Sequence, residues 1–399
     1  MTVAASGPDT LKSIRHFHHL ADVERSRLFH VEPETLNERS DRDLLGLALG
    51  ATLYIPADRV DLSRTVARRA AAGVCSMVLD LEDSVGDHSA GSALENAILA
   101  LDDLATTGLG RQALLFVRVR SIECMWRVLD GLASGVDALT GFVIPKFTAE
   151  HAESYLRAIN EASERIGRVL YCMPVLETAE VLSRATRDAE LSALSTILAA
   201  HRDSVLAVRV GATDMCGAFG IRRDPDLTIY DVGVVAGVIA DIVNYLGLRG
   251  GTGHLITAPV WEYFADHQRM FRPLLRTTPF AEQDAVLFRQ QLVSRDLDGL
   301  LRELILDRAN GMFGKTVIHP SHVAAVHALA VVTHEEYRDA TDILSAEAGG
   351  VRTSEYRNKM NEPRPHRAWA EQVLRRARVF GVSNPGVTFV DLLSVLAAA

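Results

Sequence analysis

The feature of this sequence that most constrains its fold is a series of short, apolar, β-rich segments separated by longer stretches of helical periodicity. Eight segments can be placed, at 52–56, 76–81, 114–119, 142–146, 169–175, 205–210, 254–259 and 316–319. Most are nearly continuous apolar runs, as expected for strands of a parallel sheet covered on both faces. Helical patterns at 62–72, 93–106, 150–166, 180–199 and 232–246 lie between them, so the order predicts a parallel α/β protein. Eight strand–helix units over about 270 residues match a closed (β/α)8 barrel. A doubly wound sheet has the same local pattern and stays open at this point.

The flanking segments differ in character. Residues 1–50 are polar and carry His16, His18, His19 and His30. Gly, Pro and Asn interrupt any helical pattern there, which predicts an extension that wraps the main body or is partly mobile. Residues 51–325 hold the barrel. Trp261, Tyr263 and Phe264 follow the seventh strand, offering an apolar surface, and 281–308 is helix-rich. Residues 326–399 form a C-terminal helical lid or oligomerisation segment: 322–345 is helical, 347–367 is a Gly- and charge-rich linker, and another helix lies near 368–379.

Composition excludes several function classes. The 48% hydrophobic content supports a large core. The net charge of -9, from 51 acidic and 42 basic residues, disfavours nucleic acid as a partner. Cys75, Cys124, Cys172 and Cys216 are widely spaced without a CxxC pair, as for reduced thiols in a cytoplasmic compartment. With no secretory signal and no apolar stretch of membrane-spanning length, no membrane role is expected.

The chemistry gathers at strand ends, where a (β/α) barrel carries its active face. The second strand ends in Asp80-Leu81-Glu82-Asp83, the third contains Arg118 and Arg120, and the fourth ends in Pro145-Lys146. Glu177 follows the fifth, and Asp214 follows the sixth through Arg209-Val210-Gly211. Glu177 and Asp214 are hard oxygen donors suited to Mg2+, which often takes only one or two protein carboxylates. The alternative is a helix cap or an arginine partner. Arg118 and Arg59 are candidates for a substrate carboxylate, with structural salt bridges to Asp80, Glu82 or Asp83 as the other reading. Glu82 and Asp83 would support the metal through its waters or hold the arginines. Lys146 is a Schiff-base candidate if desolvated, but neighbouring carboxylates favour its charged form and a carboxylate-pairing or carbonyl-orienting role. The N-terminal histidines lack zincin spacing and are read as surface or packing residues; His319 is read as a rim hydrogen-bonding group.

Taken in order, these blocks resemble the HpcH/HpaI aldolase and citrate lyase beta-subunit superfamily, and more closely its divergent branch associated with tellurium-resistance and stress operons. The resemblance runs over about residues 50–380. It rests on Tyr54-Ile55-Pro56-Ala57-Asp58-Arg59, Leu79-Asp80-Leu81-Glu82-Asp83-Ser84-Val85, Val117-Arg118-Val119, Pro145-Lys146, Pro174-Val175-Leu176-Glu177-Thr178, Val210-Gly211-Ala212-Thr213-Asp214-Met215 and Gly314-Lys315-Thr316-Val317-Ile318-His319-Pro320-Ser321.

The resemblance implies a TIM barrel. It implies an Mg2+-dependent carbon–carbon lyase, similar to citrate lyase beta and malyl-CoA lyase, acting on an acidic hydroxy or oxo metabolite, free or as an acyl-CoA thioester; Mn2+ is an alternative metal. Glu177 and Asp214 match metal ligands, Arg59 and Arg118 match substrate-binding arginines, Glu82 and Asp83 match acidic residues near the metal, and Lys146 belongs to a Pro-Lys motif. A trimer or hexamer is implied, with a C-terminal lid over a neighbour's site. The lid motif is altered here to Asn358-Lys359-Met360-Asn361-Glu362-Pro363, so that Glu362 stands where relatives carry an Asp. The other reading of Glu362 is an exposed turn or the start of a helix. Two further functions stay open: an acyl-CoA thioesterase, and a non-catalytic metabolite-binding or scaffold protein of a stress system.

Overall fold

The computed structural model describes residues 12–248, 253–264, 297–345 and 350–398. Eight parallel strands follow one another around a barrel: β1 Ala51–Pro56, β2 Ser76–Asp80, β3 Leu114–Arg118, β4 Leu139–Ile144, β5 Tyr171–Leu176, β6 Val208–Val210, β7 Ile256–Thr257 and β8 Lys315–Val317. From β1 to β7 each strand pairs with the next in sequence, and β8 pairs back onto β1. A parallel bridge between Ala258 and Lys315 joins the two remaining edges, with the Thr316 amide donating to the Ala258 carbonyl at 3.1 Å. That closure excludes the doubly wound alternative. All eight expected strands are present. The fourth begins at Leu139, upstream of the expected start, because Leu139 and Thr140 are buried in the ladder.

The strands are buried on both faces, outward by helices such as Leu62–Ala71, Ala90–Thr107, Ala149–Ile166 and Gly233–Leu246. The helix expected over 180–199 is instead two, Ala179–Leu182 and Arg187–Ala200. The buried Arg187 guanidinium donates to the Val181 and Leu182 carbonyls at 2.7 and 2.6 Å, ending the first helix where its carbonyls would lack partners. The expectation for 281–296 lies outside the described residues; downstream of it the helix is Asp298–Ala309.

The extension is more ordered than its composition suggests. It contains helices Asp22–Leu28 and Arg42–Ala48, the second capped by Asp41 accepting from the Asp43 and Leu44 amides at 2.9 and 3.2 Å. Ile14, Phe17 and Leu20 are buried, and His16 packs against Phe380 and His327 with ring centres 4.3 and 4.6 Å away. Strand Phe29–Val31 pairs antiparallel with Val382–Ser383, tying the extension to the C-terminal appendage.

That appendage holds helices Val323–Ala330, His334–Ser345, Pro363–Phe380 and Phe389–Ala398. The linker expected before residue 368 is partly a hairpin, Arg352–Thr353 with Met360–Asn361, and the following helix starts at Pro363, a residue favoured in the first turn. The hairpin is anchored to Asp339, which accepts from Ser354 Oγ at 2.7 Å and Asn361 Nδ2 at 2.8 Å. Trp261 does not serve the surface: it is 2% exposed and lies under the Arg223 guanidinium at 4.8 Å. Among the described residues no helix is long and apolar enough to cross a membrane.

Candidate active site at the barrel mouth

Alternation along the strands turns Tyr54, Asp80, Arg118 and Arg209 toward the barrel interior, where they line a cavity of about 490 Å3 with Glu177 and Asp214. Asp80 and Arg118 are register partners on β2 and β3, and the Asp80 carboxylate accepts from Nε and Nη2 at 2.6 and 2.7 Å. Burial pushes the Asp80 carboxyl up, but the hydrogen bonds and charge of Arg118 outweigh it and hold the group below the usual carboxylate range. Arg118 also reaches Glu82 at 2.9 Å and Asp83 at 3.2 Å. Three carboxylates therefore share this guanidinium. Arg120 holds the same acidic loop from below, donating to the Leu81 and Val85 carbonyls and to Asp87, each at 2.6 Å.

Lys146 occupies the turn after β4 with φ +49°, a left-handed conformation that costs a non-glycine residue about 1 kcal/mol. The turn aims its amide at Glu177 Oε1, 2.9 Å away. Its ammonium pairs with Glu82 and lies 3.6 Å from Asp83 and 3.9 Å from Asp214. Burial lowers the lysine's pKa, but the Glu82 hydrogen bond and charge raise it further, above the usual value. A lysine kept protonated is a poor nucleophile, so the geometry favours the carboxylate-pairing reading over the Schiff base.

Glu177 ends β5 and is buried. Burial pushes its carboxyl up to about 7; the Lys146 amide opposes this and the Asp214 charge adds to it. Asp214 lies in the first turn of helix Ala212–Ala218 and is 39% exposed. Gly211 makes room between them: a Cβ there would come 1.8 Å from Glu177 Oε2. Among the described residues no group of three or more His, Cys, Asp or Glu side chains is arranged to hold a metal ion. Two hard carboxylates, one of them desolvated and crowded against its neighbour's charge, still fit Mg2+, which completes its shell from water and substrate oxygens.

The other sequence candidates lie elsewhere. Arg59 is 48% exposed and donates to Asp61 at 2.7 Å and Thr65 at 3.1 Å, outside the cavity wall. Glu362 is exposed, immediately before the helix that starts at Pro363, and its amide donates to His366 Nδ1 at 3.1 Å. His319 bonds Ser321 Oγ at 2.7 Å and stacks on Phe264 at 4.5 Å. Conversely, the sequence reading passes over Tyr54 and Arg209 as site residues. The available signal for Arg209 was a charged residue inside an apolar strand, two positions before Gly211.

The sequence profile of the C-C bond lyases of the TIM-barrel fold matches residues 43–382. The chain belongs to this C-C bond lyase family. Its membership carries the wider citrate-lyase-beta-like and HpcH/HpaI superfamily that the sequence blocks resemble. No curated protein matches the sequence. Among the solved structures that share its barrel fold are the following two. A citrate lyase from Burkholderia xenovorans LB400 superposes with a TM-score of 0.60 at 17% identity, covering 87% of this chain and 96% of that one. CitE from Mycobacterium tuberculosis, in complex with magnesium, acetoacetate and coenzyme A, gives 0.50 at 21% identity, covering 82% and 97%.

Proposed function

We propose that the chain is an Mg2+-dependent carbon–carbon lyase acting on a small acidic hydroxy or oxo compound, free or as an acyl-CoA thioester. The observation that carries this reading is the buried Glu177 carboxylate beside Asp214 at the mouth of the barrel of a C-C bond lyase. Glu177 and Asp214 would hold the metal. Bound there, Mg2+ would supply Lewis-acid stabilisation of the enolate oxygen that develops as the C–C bond breaks. The magnesium and coenzyme A in the structure of the Mycobacterium tuberculosis CitE support both the metal and the thioester form.

The chain's own residues have distinct roles in this reading. Arg118 and the protonated Lys146 balance the acidic loop, so that Glu82 and Asp83 are held near the metal without repelling the substrate. Lys146 orients a substrate oxygen by its charge. Arg59 reaches the substrate only by leaving Asp61. Glu362 acts as acid or base only if a neighbouring subunit's lid carries it over the mouth, within hydrogen-bond reach of substrate or one water; a trimer or hexamer belongs to the same reading. So does the branch associated with tellurium-resistance and stress operons, which rests on the sequence blocks alone.

The first test is calorimetric titration of Mg2+ into wild type and Asp214→Ala. A specific site lost in the variant supports the assignment, and equal binding by both overturns it. A panel of acyl-CoA thioesters and 2-oxo acids then separates the functions. Cleavage yielding a carbonyl product and abolished by Glu177→Gln supports a lyase. Free CoA without such a product identifies a thioesterase, and no turnover of any compound supports the scaffold.

A further inference from the structure

The charges at the mouth of the barrel and in the cavity below it are unevenly matched. Arg118 faces three carboxylates and Lys146 faces Glu82, Asp83 and Asp214. Arg209 has none. It lies in β6 with Val175 and Thr257 as register partners, is 1% exposed, and lines the cavity. Its Nη2 donates to Thr316 Oγ1 at 2.6 Å and its Nη1 touches the Met173 sulfur at 3.9 Å. Its Nε has no hydrogen-bond partner, and among the described residues no carboxylate pairs with it. The nearest compensation is the face of Tyr54, whose ring centre lies 5.5 Å from the Arg209 guanidinium and 5.3 Å from that of Arg118.

A guanidinium carries five N–H donors and does not give up its proton inside a protein. Burying it with donors unused is unfavourable, and an unsatisfied buried group in a folded protein calls for a cause. Its place in the barrel suggests one. Arg209 sits two residues below Gly211, about 6.6 Å down the strand, so it lies one layer beneath the carboxylates at the mouth. Those carboxylates repel an anion, while the arginine beneath attracts one.

We propose that Arg209 is the anion-binding residue of this cavity, taking the carboxylate of a short-chain oxo or hydroxy acid bidentately while the reacting end of the molecule faces Glu177 and Asp214. The planar fork matches the two oxygens of a carboxylate, and Thr316 holds one arm of the fork in place. The inference rests on the reading of this cavity as the substrate site and adds a direction: the acid enters carboxylate first. It also moves the principal carboxylate contact from Arg118, already neutralised by Asp80, to Arg209.

The test is calorimetry with malonate and its neutral isostere malonamide, with and without saturating Mg2+, on wild type, Arg209→Met and Arg209→Lys. Wild type is expected to bind malonate at least tenfold more tightly than malonamide. Arg209→Met should lose at least tenfold in malonate affinity, keep Mg2+ affinity within threefold, and melt at or above the wild-type Tm, because it removes an unpaired buried charge. Arg209→Lys should fall between. Equal wild-type affinity for malonate and malonamide, no malonate binding, or an Arg209→Met protein that binds malonate like wild type would each overturn the proposal. If Arg209→Met does not fold, the isostere comparison and Arg209→Lys still decide. Malonate binding by metal-free Asp214→Ala keeps this result separate from the metal assignment.

Discussion

Asp80 and Arg118 lie side by side on adjacent parallel strands, and both oxygens of the Asp80 carboxylate grip the guanidinium, at 2.6 and 2.7 Å. The side chains are 2% and 13% exposed. Removing one partner leaves the other charged and buried, so Asp80→Ala is expected to cost about 3–5 kcal/mol in denaturant unfolding. The Asp80 carboxyl titrates lower in the folded chain than in the unfolded one. Its stabilisation is therefore present above the unfolded value of about 3.9 and is lost as pH falls through the folded value. The gap between wild type and variant should narrow only below about pH 4.

Gly211 tests the metal site without touching a ligand. A Cβ there would meet Glu177 Oε2 at 1.8 Å, and the backbone φ of -97° is open to alanine, so the effect is purely steric. Gly211→Ala should fold but displace the Glu177 carboxylate. Mn2+ titration followed by electron paramagnetic resonance should show affinity reduced at least tenfold; wild-type affinity would mean that Glu177 does not bind metal.

The seam between the extension and the appendage should weaken in mild acid. His16 and His327 are buried in contact, and burial holds His16 down to about 3 and His327 well below the usual histidine value. Below about pH 6.5 the unfolded chain takes up protons that the folded chain refuses. Stability should fall as pH drops from there toward 3, by about 1.4 kcal/mol per pH unit for each histidine. His16→Phe should remove its share of the slope in unfolding curves between pH 6.5 and 4.

A buried cluster behind β8 should prove as sensitive as the mouth. Lys315 Nζ lies 2.9 Å from Glu303 and 2.7 Å from Asp307, and all three side chains are buried. Glu303 also pairs with Arg223, and Asp307 accepts from Tyr230 at 2.8 Å. Lys315→Met strands two carboxylates and is expected to cost about 3–5 kcal/mol in denaturant midpoint measurements at pH 7. Mg2+ affinity of the folded fraction should not change, because the cluster lies outside the cavity wall.

The sequence by itself determined the strand positions and the loops that carry the chemistry. Parallel strands buried on both faces must be apolar along their whole length, so the runs at 52–56 and 76–81 mark themselves, and polar residues such as Glu177 and Asp214 stand out where the runs stop. What it left open were relationships between distant residues. Closure of the barrel depended on Ala258 meeting Lys315. The two readings of Arg118 differed in whether Asp80, Glu82 or Asp83, more than 30 residues earlier, came within salt-bridge reach, as all three do. The order in the extension came from Phe29–Val31 pairing with Val382–Ser383 at the other end of the chain. Arg209 is the clearest case: the sequence shows a charge in an apolar strand, and only the packed barrel shows that no carboxylate among the described residues pairs with it. Periodicity and burial are local and repeat along the chain, so they are legible there; charge pairing is set by distance through space, which the tertiary structure alone decides.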